Sequence, residues 1–220
     1  MLTLVIVLLA TVFLYKKRRE HIIKPKKTKY KYNLLNKCYM RITISGKAGS
    51  GKSTVAKLLS ERLKLKQYSI GDLMRAMAAD KGITLLELNK LAENDKSIDF
   101  ELDNKLKELG KTKDNFVVDG RLAAFFVPHA DVRVFLETDD EVRAKRIMQD
   151  KRQHESSESL TETINNIRKR EGSEKKRYKK YYGIDYSDKK LYNFIIDTTN
   201  LAPNVVVGRI IEFVEGKKIL

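Results

Sequence analysis

From residue 40 onward, short apolar runs alternate with longer segments in which apolar side chains return every three or four positions. A period of two with β-branched residues marks a strand and a period near 3.6 marks a helix. On that basis strands are predicted at Arg41–Ser45, Gln67–Ile70, Asn115–Asp119, Val132–Glu137 and Asn193–Asp197. Helices are predicted at Lys52–Leu63, Leu73–Gly82, Leu85–Glu93, Asp99–Leu109, Asp140–Lys151, Glu158–Tyr182 and Pro203–Glu215, the last opening on a proline, which suits a first helical turn. Strands that alternate with helical crossovers predict an α/β fold with a five-stranded parallel sheet covered by helices on both faces. No internal repeat interrupts the pattern.

Two stretches exceed a simple crossover. Residues 71–113 lie between the second and third strands and are mostly helical, so a helical insertion is expected there. Residues 151–182, basic and helical between the fourth and fifth strands, are the expected mobile part, or lid. The domain expected from this pattern is 40–220.

The first 39 residues read differently. Leu2 to Tyr15 carries no charge, and "KKRR" follows at once. As a helix, that run would span about 21 Å, short of the roughly 30 Å hydrocarbon core of a bilayer. No basic segment precedes it and no small-residue cleavage site follows, which argues against a cleaved secretory signal. Two expectations stand side by side. Residues 2–15 contact the membrane and tether a cytoplasmic catalytic domain, with the basic cluster holding that domain on the cytoplasmic side; or the leader is an overextended start, with Met40 beginning the working protein. The intervening "KPKKTKYKYNLLNK" reads as a solvated linker able to lie on anionic headgroups.

Charge and cysteine content narrow the chemistry. The 220-residue chain carries a formal +16, but Lys16–Tyr39 alone holds ten basic residues against one acid; the remainder is only +7. That modest excess suits an enzyme of polyphosphate ligands as well as a nucleic-acid binder. The single cysteine, Cys38, excludes an intramolecular disulfide, and His21, His129 and His154 are too scattered for a zinc site.

The strongest motif is "GKAGSGKS", Gly46 to Ser53, which matches G-x-x-x-x-G-K-[ST] between a predicted strand and a predicted helix. Glycines let backbone N–H groups converge on a phosphate, and the following helix aims its positive dipole end at the same anion. Gly46, Lys47, Ala48, Gly49, Ser50, Gly51, Lys52, Ser53 and Thr54 are therefore the candidate ATP-binding residues. Lys52 would bridge the β- and γ-phosphates and the Ser53 hydroxyl would hold Mg2+.

A second anion site is read in "YSIGDLMR": a strand end at Ile70, a tight turn at Gly71, a helix cap at Asp72, and Arg75 with a phosphate-matching guanidinium. In "NFVVDGRLA", Asp119 falls at the carboxyl end of the third strand, where open parallel sheets bind ligands, and Arg121 follows. Asp119 is the second candidate for Mg2+, through water, and Arg121 for an acceptor phosphate; each also has a purely structural reading as a turn residue. Downstream, Arg143, Arg146, Arg152, Arg168, Arg170 and Arg177 supply cations for a closing lid, of which two or three are expected to act on the transferring group. No His or Cys nucleophile is present in a catalytic pattern. None is required, since a phosphate acceptor with a second pKa of about 6 is largely ionised at neutral pH.

In order and separation, "GKAGSGKST", "SIGDLMR", "LAENDKSIDFELD", "VVDGRLA", "SEKKRYKKYYGID" and "IIDTTN" closely resemble the archaeal-type cytidylate kinases, a family of P-loop nucleoside monophosphate kinases. The resemblance covers Met40 to the C-terminus. It implies transfer of the ATP γ-phosphate to CMP and dCMP, with UMP a weaker acceptor, on a core with an acceptor-binding insertion and an arginine-bearing lid. It also implies catalytic roles for Lys52, Arg121, Arg146, Arg152 and Arg170, acceptor-phosphate contacts for Arg75 and Arg121, and cytosine, ribose or metal contacts for Asp72, Asp119 and Asp185. A monomer is expected. Lys47 departs from the family pattern, where proline is frequent, and so does the leader. Adenylate kinase or another small-molecule P-loop kinase is the alternative within the class, but an adenylate kinase is expected to follow its third strand with "DGFPR", not "DGRLA". An ATP-switched nucleic-acid or membrane-surface module is the alternative outside it. Basic residues interleave with aromatics only at "KYKY", so no nucleic-acid partner is expected.

Overall fold

The computed structural model of the chain describes residues 40–150 and 159–218. The leader and Arg152 lie outside the described residues, as does the start of the segment expected to form a lid. Five strands, β1 (Arg41–Gly46), β2 (Lys66–Ser69), β3 (Phe116–Asp119), β4 (Val132–Glu137) and β5 (Phe194–Asp197), form one sheet in the order β2-β3-β1-β4-β5. Every pairing is parallel. The central strands β1 and β3 are buried on both faces: "FVVD" is a nearly continuous apolar run, whereas "RITISG" alternates Ile42 and Ile44 with the small buried hydroxyls of Thr43 and Ser45; the edge strand β2, "KQYS", is half exposed.

The helices are α1 (Lys52–Leu63), α2 (Ile70–Asp80), α3 (Leu85–Leu91), α4 (Lys96–Thr112), α5 (Ala123–Phe126), α6 (Asp140–Gln149), α7 (Leu160–Tyr182) and α8 (Pro203–Lys218). On one face of the sheet, Ile42, Ile44, Val117, Val134 and Leu136 pack with Val55 and Leu59 of α1 and Val206, Val207 and Ile210 of α8. On the other, Phe116, Val118 and Phe135 meet Ala123 and Phe126 of α5, Leu106 of α4 and Tyr178 of α7. Helices α2, α3 and α4 add a core of their own from Met74, Leu85, Leu88, Ile98 and Leu102. Among the described residues no helix is long and apolar enough to cross a membrane.

Local chemistry sets the boundaries. The Thr84 and Glu87 side chains form a reciprocal capping box at the start of α3, and Gly183, at φ 70°, ends α7 in the left-handed conformation. At the start of α2 the sequence expectation needs correction. The strand ends at Ser69, not Ile70; Gly71 sits inside the helix rather than in a turn; and the cap is Ser69, whose Oγ accepts from the Asp72 N–H at 3.3 Å. Asp72 is thus a first-turn residue, favourable there for its charge, and not the N-cap. Two short elements escaped the pattern, α5 and a 3-10 turn at Lys189–Leu191, because three or four residues are too few to show a period.

Candidate functional site

Strand order places β1 and β3 side by side, so their carboxyl ends deliver Gly46 and Asp119 to the same edge of the sheet. Between β1 and α1 the chain wraps through Gly49 at φ 76° and Gly51 at φ 87°, conformations that cost a side-chain-bearing residue strain. Gly49 is fixed further by crowding: a Cβ there would lie 2.5 Å from the Arg143 carbonyl oxygen. The loop opens into a cavity of about 490 Å³ that reaches from Ala48–Val55 across Asp119 and Arg121 to helices α2 and α4.

Lys52 is buried in this loop and its ammonium donates to the Lys47 carbonyl at 2.6 Å. Burial first, and then the neighbouring Arg121, push its pKa down to about 7, with Asp119 acting in the opposite direction. So many cations gathered with so few anions is the electrostatic signature of a site built for a polyanion. Asp119 is raised above the ordinary carboxylate range, by burial foremost, while Lys52, Ser53 and Ser69 oppose the shift. Its Oδ1 accepts from Ser53 Oγ at 3.1 Å and from Ser69 Oγ at 3.2 Å, and its buried Oδ2 has no hydrogen-bond partner. One hydroxyl and one carboxylate with an unused oxygen are hard oxygen donors. That sparse set fits Mg2+, which keeps most of its waters and takes few protein ligands. Among the described residues no group of three or more His, Cys, Asp or Glu forms a richer metal cage.

Helix α7 brings the remaining charge. Glu174 is 0% exposed; its Oε2 lies 2.5 Å from Arg121 Nε and its Oε1 accepts from Arg170 Nε at 3.0 Å. Both arginines line the cavity. The 2.5 Å contact is an ion pair without hydrogen-bond alignment, since Arg121 Nε and one terminal nitrogen remain unsatisfied. Arg146 of α6 also lines the cavity and is steadied by Thr198 after β5, donating to its carbonyl at 2.7 Å.

The predicted residues divide clearly. Ala48, Gly49, Ser50, Gly51, Lys52, Ser53, Thr54, Arg75, Asp119, Arg121, Arg146 and Arg170 line the one cavity. Gly46 stands behind it, packed so tightly that a Cβ would meet the Leu136 carbonyl at 2.6 Å, and Lys47 turns away toward Glu171 at 3.6 Å. Asp72 pairs with Arg75 outside the lining. Asp185 is not among the lining residues: its carboxylate closes a turn with Ser187 and pairs with Lys175 at 3.3 Å. Three of the lid arginines have other employment. Arg143 is fully buried and ties Ala48 O to Glu171 and Asp140; Arg177 is held by Asp99 and the Asn89 carbonyl; Arg168 is exposed beside Asp140.

Sequence reasoning passed over Ser69, Asp99, Asp103, Glu174 and Thr198. Three of these carried a signal. Asp99 and Asp103 are spaced i, i+4 on the same stripe as Leu102 and Leu106, and Glu174 sits four residues after Arg170 and three before Arg177; acids on a buried stripe seek partners.

Comparison with known proteins agrees with this geometry. The profile of the Cytidylate kinase-like family matches residues 41–200. The chain belongs to that family. Among curated relatives of this cytidylate kinase-like chain, the cytidylate kinase of Archaeoglobus fulgidus is 43% identical over 180 residues, covering 82% of this chain and 97% of the relative. That of Natronomonas pharaonis is 42% identical over 168 residues, covering 76% and 85%. Among solved structures, shikimate kinase from Bacteroides thetaiotaomicron superposes with a TM-score of 0.56 at 18% identity, covering 80% of this chain and 98% of the other. That likeness speaks to the P-loop kinase fold alone.

Proposed function

We propose that the chain transfers the γ-phosphoryl group of ATP to CMP, and to dCMP, forming ADP and the cytidine diphosphate. The observation that carries this reading is the continuity of one cavity: the phosphate loop, Arg121, Arg146 and Arg170 face it from one side, and Arg75 and the helices of the 71–113 insertion from the other. A donor and an acceptor nucleotide can therefore meet end to end, and the names of the archaeal relatives supply the cytosine.

In this reading the Gly46–Thr54 loop cradles the ATP phosphates, with Lys52 on the β- and γ-oxygens. Ser53 and Asp119 would hold Mg2+, which would supply charge neutralisation on the phosphate oxygens. Arg75 and Arg121 grip the acceptor phosphate. Arg146 and Arg170, with Arg152 from the lid at 151–182, donate to the transferring group as its charge spreads over the equatorial oxygens. The acceptor oxygen is already ionised, so positioning and charge neutralisation carry the step without a general base. The enzyme acts as a monomer in the cytoplasm, its leader being either a tether through residues 2–15 or an overextended start ahead of Met40.

The test is ADP formation by the purified full chain with ATP and magnesium, in the presence of CMP, dCMP, UMP, AMP or GMP at equal concentration. Stimulation by CMP and dCMP well above the others is expected. A folded protein stimulated by AMP instead, or by none of the five, overturns the assignment.

A further inference from the structure

The wall of the cavity farthest along the insertion is built by one stripe of α4, Asp99, Leu102, Asp103 and Leu106, with Met74 of α2 and Tyr178 of α7 beside it. It is apolar except for the two acids. Asp99 is committed: Oδ2 accepts from Arg177 Nε at 2.8 Å and Oδ1 from Arg177 Nη2 at 3.3 Å. Asp103, 5% exposed, accepts from the Tyr182 hydroxyl through Oδ2. The Tyr182 ring is itself clamped, stacked on Phe100 at 5.7 Å and edge-on to Phe126 at 5.1 Å, so the hydroxyl fixes the carboxyl plane. Lys107, the nearest lysine on the helix, is engaged over the Phe126 ring at 4.7 Å. Asp103 Oδ1 is left as an oriented acceptor on an otherwise apolar surface that already faces the ligand.

Such a wall asks its ligand for a hydrogen-bond donor. Cytosine has an exocyclic amine where uracil has a carbonyl oxygen. Given the acceptor reading above, on which this inference rests, we propose that Asp103 is the base-reading residue: its Oδ1 accepts from the cytosine amine and repels the uracil oxygen. A buried group matched to a substrate N–H rejects an analogue lacking it far more strongly than an apolar pocket rejects a change of size. Tyr182 acts as a positioning residue for that oxygen. Burial pushes Asp103 up to about 7; Tyr182 and Arg177 from α7 and Lys107 from its own helix oppose that rise, and Asp99 adds to it. A neutral carboxyl can donate to the uracil oxygen, so discrimination must weaken as the pH falls through this range.

The experiment measures kcat/KM for CMP and UMP with the full chain, from pH 6 to 8, in the wild type, Asp103→Asn and Tyr182→Phe. The wild type should prefer CMP by at least about 100-fold at pH 8, with the preference shrinking toward pH 6. Asp103→Asn, whose amide can turn its NH2 outward, should bring the preference within about tenfold, mainly by gaining UMP activity. Tyr182→Phe should raise KM for CMP more than it lowers kcat, because the reading oxygen is less well held, and should move the midpoint of the pH effect upward, because one hydrogen bond that favours the ionised form is gone. An unchanged CMP:UMP ratio in folded Asp103→Asn overturns the proposal. Should that variant fail to fold, the wild-type profile decides: a ratio that is flat from pH 6 to 8 overturns it and a rising one supports it. Equal use of both substrates by an active wild type refutes the role of Asp103 alone, whereas activity with neither refutes the acceptor reading itself.

Discussion

Replacing Glu174 with glutamine removes one charge and almost no volume from the centre of the site. Glu174 is 0% exposed, and the side chains it balances, Arg121 and Arg170, are 10% and 11% exposed. These are buried pairs, for which deleting one partner costs about 3–5 kcal/mol because a charge is stranded, against about 0–1 kcal/mol for a surface pair. The glutamine carbonyl can still accept from Arg170, which places the loss near the lower figure. About 3 kcal/mol corresponds to a fall of about 6–12 °C in Tm for a domain of this size. The loss should depend on ligand. Arg121 keeps two unsatisfied nitrogens even in the native protein, and a bound phosphate supplies the missing anion. Melting each protein alone and with saturating CMP plus ADP, a pair that cannot react, tests this directly. The variant should be far less stable than the wild type when empty and should regain at least half of the difference when both nucleotides are present. An identical deficit with and without nucleotides would falsify the idea that Glu174 stands in for phosphate between these arginines.

Lys52→Met should abolish ADP formation while leaving the Tm at pH 7 unchanged or higher, since burial already disfavours the ammonium. The sign for pH follows: the folded-state pKa lies near 7, below the unfolded value, so the wild type gains stability between about pH 7 and 10 and the methionine variant gains less, which thermal melts across that range will show. Arg146→Ala should lower kcat by about 100-fold, as expected for loss of a donor to developing charge, whereas Arg168→Ala should stay within about twofold, its guanidinium being exposed beside Asp140; a coupled assay for ADP separates them. For Asp103→Asn, the raised native pKa means the carboxyl contributes stability below about pH 4 that is lost as the pH rises through 7. The variant should therefore melt higher than the wild type at pH 8, with the gap closing by pH 5.

How far the sequence spoke for the site depends on what each residue answers to. The phosphate loop was legible because its geometry is local: Gly49 and Gly51 need positive φ, and the lysine and hydroxyl follow at fixed offsets whatever the rest of the chain does. The sheet was legible because β3 shows a continuous apolar run and β1 a strict alternation of isoleucine with small or hydroxyl residues, both of them strand periods. The arginines were not separable, because a guanidinium on a helix reads the same whether it faces a cavity, as Arg146 and Arg170 do, or bolts two helices together, as Arg143 and Arg177 do. Only the acids they meet distinguish them, and those lie 28 residues from Arg143, at Glu171, and 78 from Arg177, at Asp99. Asp185 shows the same ambiguity in reverse: a carboxylate in a suggestive motif closes its own turn two residues on. Counter-ions therefore carry the information that arginines lack. In this fold Asp99 and Glu171 engage Arg177 and Arg143 away from the cavity lining, while Glu174 holds Arg121 and Arg170 together on it, so which cations face the cavity is specified as much by where carboxylates are placed as by where the arginines are.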